Sequence, residues 1–231
     1  MLEKLKERVY RANIDLVKYG LVIHTWGNAS GRDQKTGYIV IKPSGVSYKK
    51  MNAGDMVVLD PDGNIIEGNY KPSTDAPTHL MLYEKWDTVN GVVHTHSTYA
   101  TAWAQAGKDI PALGTTHADH YYGEVPCTRK LTEKEIEHNY EINTGKVIIE
   151  RLARIDPLAV PSVLVNCHGP FSWGLDAEEA VYNAVALEEI ARMALYTVTL
   201  GQTMSVDGYL LKKHNKRKHG KNAYYGQKKL K

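Results

Sequence analysis

The sequence predicts one α/β domain with a mixed or antiparallel sheet that is covered by helices on both faces. Three observations indicate this fold class: predicted strands and helices are interspersed along the chain, one pair of strands forms a hairpin, and no repeat or low-complexity linker divides the 231 residues. Strands and helices mixed in this way usually form a sheet between helical layers. A chain of this length can bury a sizeable core. We therefore expect residues 1–231 to form a single domain.

The elements of the N-terminal half follow from hydrophobic periodicity and turn residues. Apolar residues three and four positions apart are typical of an amphipathic helix, and Gly, Pro and Asp mark its end and the turns. In order, the predicted elements are a helix over residues 2–18 that ends at Gly20, a small-residue stretch over 26–31, strands over 38–42 and 56–59, a turn over 60–64, and a return strand at 65–66.

The chain after residue 66 adds four predicted helices, a helix start and two strands. Thr132 and Glu135 form a capping box, which is typical of a helix start. The longest predicted helix runs from Asp176 to Leu200 and has a broad apolar face. The other predicted elements are a helix from Thr78 to Trp86, a strand over 91–93, a helix from Ser97 to about Gln105, an irregular segment over 111–123, a helix from Gly145 to Arg154, and a strand over 163–165.

Composition excludes several protein classes. Apolar content is 42% and charged content 24%, which is ordinary for a globular protein. The first eight residues are charged where a signal peptide is apolar, and no stretch reaches the roughly 18–20 apolar residues of a membrane span. We therefore expect a cytoplasmic protein without membrane contact, in which Cys127 and Cys167 are reduced thiols.

The basic charge of the chain is concentrated in its C-terminal segment. Residues 208–231 contain nine Lys or Arg and no Asp or Glu, so the net charge of +3 leaves −6 on the rest of the chain. A basic run can bind nucleic acid, an anionic membrane or a phosphorylated small molecule, and it can also be a solvated tail. The segment also contains Tyr209, His214, Tyr224 and Tyr225, which a solvated tail does not need.

Three histidines follow predicted strands. His94 and His96 are two positions apart, so in an extended chain their side chains point to the same face. His168 follows another apolar strand, and Asp75 lies in the loop before a predicted helix. Imidazole and carboxylate together suit zinc, manganese or a similar divalent ion. Alternatively, the histidines are polar residues at strand ends and Asp75 caps the helix.

Three loops contain glycine or small hydroxyl and amide residues, and Lys42 lies just before one of them. Hydroxyl and backbone N–H groups in such loops suit a phosphate, to which lysine adds a positive charge. Each loop by itself can equally be an ordinary turn. The candidate phosphate ligands are Gly27, Asn28, Lys42, Ser44, Gly45, Ser73 and Thr74.

Five longer motifs carry a resemblance to a known family. They are Thr25-Trp26-Gly27-Asn28-Ala29-Ser30, Lys42-Pro43-Ser44-Gly45-Val46, Lys71-Pro72-Ser73-Thr74-Asp75, His94-Thr95-His96 and Gly114-Thr115-Thr116-His117-Ala118-Asp119. The chain resembles the class II aldolase/epimerase family from Met1 to Gly226. The departures are conservative: Thr74 stands where a second Ser is usual, and a few extra basic residues follow Gln227.

The resemblance implies a fold, an assembly and a role for each site residue. The fold is a three-layer α/β/α sandwich around a largely antiparallel central sheet. The assembly is a homotetramer with fourfold symmetry and active sites between subunits. The implied metal ligands are Asp75, His94, His96 and His168; the implied phosphate ligands are Gly27, Asn28, Ser44, Gly45, Ser73 and Thr74. Asp119 and Tyr225 are the implied acid/base pair, with Tyr225 from the adjacent subunit. Residues implied near the site are Thr115, Glu141, His214 and Arg217.

The implied activity is the metal-dependent epimerisation of L-ribulose 5-phosphate to D-xylulose 5-phosphate at C4, by cleavage and re-formation of the C3–C4 bond. Zinc is the first choice of metal, with manganese or another divalent ion as alternatives, and arabinose catabolism is the implied setting. A class II sugar-phosphate aldolase acting on L-fuculose 1-phosphate is the nearest alternative, in which Glu replaces Asp75. More distant alternatives are an inactive binding module, which would lack the metal ligands, and a nucleic-acid binder, which the charge of −6 outside the tail disfavours.

Overall fold

The computed structural model describes residues 2–201, 204–219 and 223–225, and in this part of the chain it contains eight α-helices and seven strands. The helices are α1 (Glu3–Lys18), α2 (Ala76–Lys85), α3 (Thr98–Ala106), α4 (Thr115–His120), α5 (Glu133–Glu137), α6 (Tyr140–Arg151), α7 (Ala177–Thr199) and α8 (Gly208–His219). The strands are β1 (Asn28–Arg32), β2 (Ile39–Ile41), β3 (Val57–Leu59), β4 (Ile65–Glu67), β5 (Gly91–His94), β6 (Ser162–Leu164) and β7 (Pro170–Gly174).

The strands form one sheet in the order β4-β3-β2-β1-β5-β7-β6, and each neighbouring pair is antiparallel. Strand β5 lies between β1 and β7. Its His94 pairs with Asn28 of β1 on one side and with Phe171 of β7 on the other. This register brings the candidate ligand His94, at the end of β5, next to Asn28 at the start of β1.

Helices cover both faces of the sheet, because successive strand residues point to opposite sides. In β5, Val93 packs with residues of α1 and α7, whereas Val92 packs with residues of α2 and α6 on the other face. Both valines are fully buried or nearly so. The result is the three-layer α/β/α arrangement with an antiparallel central sheet that the resemblance implied, and it agrees with the covered sheet predicted from the sequence pattern.

A glycine allows the helical layer to approach the sheet closely. A Cβ atom on Gly91 would lie 2.0 Å from the backbone oxygen of Asp176, the residue that caps α7. Glycine is therefore required where α7 begins against β5, because any side chain would collide with backbone.

Most predicted elements are confirmed, and the differences have local causes. The small-residue stretch after Trp26 is strand β1, although Asn, Ser and Gly disfavour strands, because it pairs with both β2 and β5. The irregular segment contains the short helix α4, and α6 begins at Tyr140, five residues before the predicted Gly145. Strand β7 was missed because it begins with Pro170.

None of the helices in the described residues is long and apolar enough to cross a membrane. The basic C-terminal segment contributes α8, which carries His214 and Arg217. The remainder of that segment, residues 220–222 and 226–231, lies outside the described residues.

Candidate active site

His94, His96 and His168 form a compact cluster at the end of β5. One ring nitrogen from each lies within 4.8 Å of the others. Nε2 of His96 is 3.1 Å from Nε2 of His94, and the His94 ring stacks on Phe171 with centroids 4.2 Å apart. His168 comes from the turn between β6 and β7, so the sheet itself brings together residues that are more than 70 positions apart.

Hydrogen bonds orient two of these rings. Nδ1 of His94 lies 2.9 Å from the backbone oxygen of Pro170, and Nδ1 of His168 lies 3.3 Å from the hydroxyl of Tyr140. An imidazole bonded through Nδ1 presents Nε2 to a ligand. The contacts of His94 and His168 therefore leave Nε2 of each ring facing the cluster.

The electrostatics of the cluster favour the neutral form of His96 and His168. Burial lowers the pKa of His168 to about 3, and the neighbouring His94 and His96 lower it further. Burial, followed by His94, also lowers the pKa of His96. Neutral imidazole has the free lone pair that binds a metal, so this donor set fits a divalent ion such as zinc.

Asp75 stands beside this cluster without being one of its three members. It lies just before α2, but its side chain does not cap that helix. Instead Nδ2 of Asn28 donates to Oδ2 of Asp75 at 2.6 Å and to Oγ of Ser73 at 3.0 Å. Burial raises the pKa of Asp75, yet His94, His79 and the bond from Asn28 outweigh it and lower the pKa below its usual value. Asp75 is therefore a carboxylate whose side chain is fixed by the hydrogen bond from Asn28, the first residue of β1.

One cavity of about 550 Å³ joins the histidines to the candidate phosphate loops. Its volume is in the usual range for a small-molecule site. Its lining residues are Thr25, Trp26, Gly27, Asn28, Lys42, Pro43, Ser44, Gly45, Ser73, Thr74, Asp75, His94, His96, Tyr140, Glu141 and His168. All four predicted metal ligands and all seven predicted phosphate ligands line this cavity, and so does Glu141.

Lys42 is a buried cation in this cavity. Its side chain contacts the backbone oxygen of Pro43 at 3.2 Å and lies 4.8 Å from the centre of the Tyr48 ring. Among the described residues no carboxylate forms an ion pair with it. Burial lowers its pKa to about 8. A buried ammonium group without a carboxylate partner suits an anionic ligand.

The loops around Lys42 use part of their hydrogen-bonding capacity on each other. The N–H of Ser44 donates to the backbone oxygen of Lys71, and the N–H of Ser73 donates to that of Lys42, each at 2.9 Å. The hydroxyls of these serines therefore offer the more direct contact to a ligand. The buried Oδ1 of Asn28 has no hydrogen-bond partner among the described residues, so this acceptor is available to a ligand.

Asp119 lies in a second cluster, formed with His214, Arg217 and Tyr225 and called the Asp119 cluster below. Its Oδ1 accepts from Nδ1 of His214 at 3.0 Å and from Nε of Arg217 at 2.9 Å. The Arg217 guanidinium lies 5.2 Å from the centre of the Tyr225 ring. Burial raises the pKa of Asp119, but the hydrogen bonds from Arg217 and His214 outweigh it, so the net pKa is lowered.

The two groups of predicted site residues are separate in this chain. Neither the Asp119 cluster nor Thr115, the exposed first residue of α4, lines the cavity that contains the histidines. His214 and Arg217 share one face of α8, and that face binds Asp119 of the same chain.

Tyr140 is a cavity residue that sequence reasoning missed. It lies before Gly145, where the helix was predicted to begin, yet it begins α6 and contacts His168. The available signal was its position next to Glu141. Thr25 and Trp26 were quoted within a motif but not singled out, and both line the cavity.

Comparison with known proteins gives a family match over most of the chain. The model described as the Class II Aldolase and Adducin N-terminal domain matches residues 7–195. The chain is 57% identical over 228 residues to the L-ribulose-5-phosphate 4-epimerase UlaF of Salmonella paratyphi B, covering 98% of this chain and all of that protein. The UlaF protein of Salmonella typhi has the same identity and coverage.

Solved structures with the same fold are more distant in sequence. One described as L-fuculose 1-phosphate aldolase has a TM-score of 0.79 at 23% identity and covers 93% of this chain and 95% of that one. The l-fuculose-1-phosphate aldolase of Thermus thermophilus has a TM-score of 0.67 at 24% identity, with 87% of this chain and 100% of that one covered. At these identities the likeness supports the fold alone.

Proposed function

Because this chain belongs to the class II aldolase and adducin family, we propose that it is a metal-dependent epimerase that converts L-ribulose 5-phosphate to D-xylulose 5-phosphate. The observation that carries the proposal is the three-histidine cluster in one cavity with Lys42, a buried cation that suits a phosphate. The choice of substrate rests on the 57% identity to proteins named L-ribulose-5-phosphate 4-epimerase.

The chemistry of the substrate explains why such a site is needed. C4 of this ketopentose phosphate is not next to the carbonyl, so its proton is not acidic. Cleavage of the C3–C4 bond leaves electrons on C3 that delocalise into the C2 carbonyl. The aldehyde fragment then turns its other face, and the bond re-forms with inverted configuration at C4.

The histidine cluster is suited to hold the metal. His94, His96 and His168 supply three imidazoles, and Asp75 supplies a carboxylate at the same site. A bound divalent ion, which we propose is zinc, would supply Lewis-acid stabilisation of the charge on the substrate oxygens near the broken bond. Asn28 holds Asp75 beside the three-histidine cluster. This donor set is therefore suited to leave coordination positions on the metal open for the substrate.

The phosphate of the substrate is assigned to the other end of the cavity. Lys42 provides the positive charge, and the hydroxyls of Ser44, Ser73 and Thr74 provide hydrogen bonds around it. Glu141 lines the same cavity and can accept a hydrogen bond from a sugar hydroxyl. Gly27 and Gly45 have φ values of 84° and 67°, so the backbone can bend around the ligand without side chains in the way.

The resemblance implies a homotetramer in which only Tyr225 comes from the adjacent subunit, and we propose that Asp119 acts there as well. Asp119, His214, Arg217 and Tyr225 do not line the cavity of their own chain, which supports their action on the cavity of another copy. Arg217 and His214 keep Asp119 ionised, so this carboxylate is suited to accept the proton of the C4 hydroxyl. Tyr225 is then the group suited to return a proton on the opposite face of the aldehyde.

An aldolase is the second candidate, since structures described as L-fuculose 1-phosphate aldolases share the fold. The identity of 57% to epimerases against 23% to such an aldolase favours epimerisation. We also propose that the protein is cytoplasmic and that its reaction belongs to arabinose catabolism.

The test is incubation of the purified protein and zinc with L-ribulose 5-phosphate. The expected result is D-xylulose 5-phosphate without accumulation of free aldehyde. Accumulated glycolaldehyde phosphate and dihydroxyacetone would instead identify an aldolase, and the absence of both D-xylulose 5-phosphate and these fragments would contradict the proposed epimerase.

A further inference from the structure

Tyr140 has a position that the proposed function does not use. It is half-buried, lines the metal cavity, and its hydroxyl lies 3.3 Å from Nδ1 of His168. It is the first residue of α6 and follows Asn139, which has the unusual φ of 58°. The backbone therefore turns sharply just before Tyr140 and directs the start of α6 at the cavity.

Two contacts fix this end of α6 against α2. The hydroxyl of Thr78 donates to the backbone oxygen of Glu141 at 2.7 Å. Further along, a Cβ atom on Gly145 would lie 2.8 Å from Cβ of Met81, so the two helices touch closely at that glycine. Because α2 itself begins directly after Asp75, the same packing sets both Asp75 and Tyr140 relative to the histidines.

The contact with His168 has a defined direction when that ring binds a metal. Neutral imidazole has one donor nitrogen and one acceptor nitrogen. If Nε2 gives its lone pair to the metal, Nδ1 carries the hydrogen and donates it to the oxygen of Tyr140. His94 makes the equivalent contact with the backbone oxygen of Pro170 at 2.9 Å. Unlike a carbonyl, a tyrosine that accepts this bond still has its own proton to donate.

We propose that Tyr140 is a positioning residue that holds His168 through Nδ1 and directs its own hydroxyl proton to an oxygen of the substrate in the cavity. The second contact rests on the proposed function, whereas the first concerns only the metal. Residues that hold a ligating histidine through its other nitrogen typically change metal affinity or activity by about 10–100-fold when they are replaced.

The first test measures metal binding without substrate. The Tyr140→Phe variant keeps the ring and loses the hydroxyl, and Co²⁺ alone is the probe, with its visible absorption and its dissociation constant as the readouts. The expected result is binding weakened by about 10-fold or more and an altered spectrum. The matched control is Tyr38→Phe, because Tyr38 lies before β2 at the opposite end from Lys42 and outside the cavity.

An unchanged Co²⁺ spectrum and affinity in Tyr140→Phe would overturn the contact with His168. The second test compares kcat and KM for L-ribulose 5-phosphate at saturating zinc, where a higher KM than in Tyr38→Phe is expected. An unchanged KM would overturn the substrate contact. A wild-type protein that binds Co²⁺ but epimerises nothing would contradict the proposed function, and the Co²⁺ comparison would still decide the role of Tyr140.

Discussion

Nε of Arg217 lies 2.9 Å from Oδ1 of Asp119, and Nη2 of the same guanidinium bonds the second carboxylate oxygen, so helix α8 holds helix α4 across 98 residues of sequence. Two parallel bonds between guanidinium and carboxylate are strong and geometrically specific. At least this part of the basic C-terminal segment is therefore an ordered partner for an acidic side chain. The contact also explains why the pKa of Asp119 lies below its usual value.

Replacement of this carboxylate should remove most of the activity. We expect Asp119→Asn to lower kcat by about 10²–10⁴-fold, the usual contribution of a general acid or base. The measurement is the rate of epimerisation, with circular dichroism to verify the fold. The control is Asp62→Asn in the exposed turn between β3 and β4. A rate within threefold of wild type would contradict the assignment of Asp119.

The shared site can be tested with hybrid oligomers. We expect His96→Asn and Asp119→Asn each to be inactive, and oligomers containing both variants to regain turnover, because one subunit then supplies intact histidines and its neighbour an intact Asp119. Two affinity tags allow the hybrids to be purified. If turnover stays at the level of either variant alone, the cavity and the Asp119 cluster do not act between subunits.

Metal removal should affect activity and stability together. A chelator is expected to abolish turnover, and zinc to restore it. Because the ion binds only the folded chain, an excess of about 1,000 times the dissociation constant adds about 4 kcal/mol to the free energy of unfolding. Thermal unfolding with and without zinc measures this shift. Full activity in a variant carrying both His94→Asn and His96→Asn would refute metal catalysis.

Acid should destabilise the metal-free protein because of buried histidines. His117 is 4% exposed and burial lowers its pKa to about 4, whereas an unfolded histidine has a pKa near about 6.5. Between these two pH values His117 binds a proton in the unfolded chain but stays neutral in the folded chain. The free energy of unfolding therefore falls as the pH is lowered from about 6.5 to about 4, by up to about 1.4 kcal/mol per pH unit for this residue.

The variant His117→Gln isolates that contribution. Glutamine can still donate to the backbone oxygen of Gly123, which Nε2 of His117 contacts at 2.6 Å, but it does not titrate. We expect a shallower pH dependence in urea denaturation with chelator present. His138→Gln, at an exposed position, is the control. Equal slopes in wild type and His117→Gln would contradict the buried, neutral state of His117.

Much of the fold and the cavity followed from local patterns. The spacing of apolar residues predicted α1 and α7 because one helical face of each is buried. Alternation in a strand predicted that His94 and His96 lie together, and the structure brings them to 3.1 Å. The sequence allowed two roles for Asp75, a helix cap or a metal ligand. Its side chain bonds Asn28 of β1 instead of capping α2, which only the pairing of distant segments could decide.

The sequence by itself determined the elements, the donor types and their family, because periodicity and motif spacing are properties of neighbouring residues. Only the tertiary structure decided which donors meet. It made Asn28 the start of a strand beside His94, placed Tyr140 against His168, and kept the Asp119 cluster out of the cavity of its own chain. The physical reason is that such contacts join residues distant in sequence, and strand pairing and helix packing set their distances.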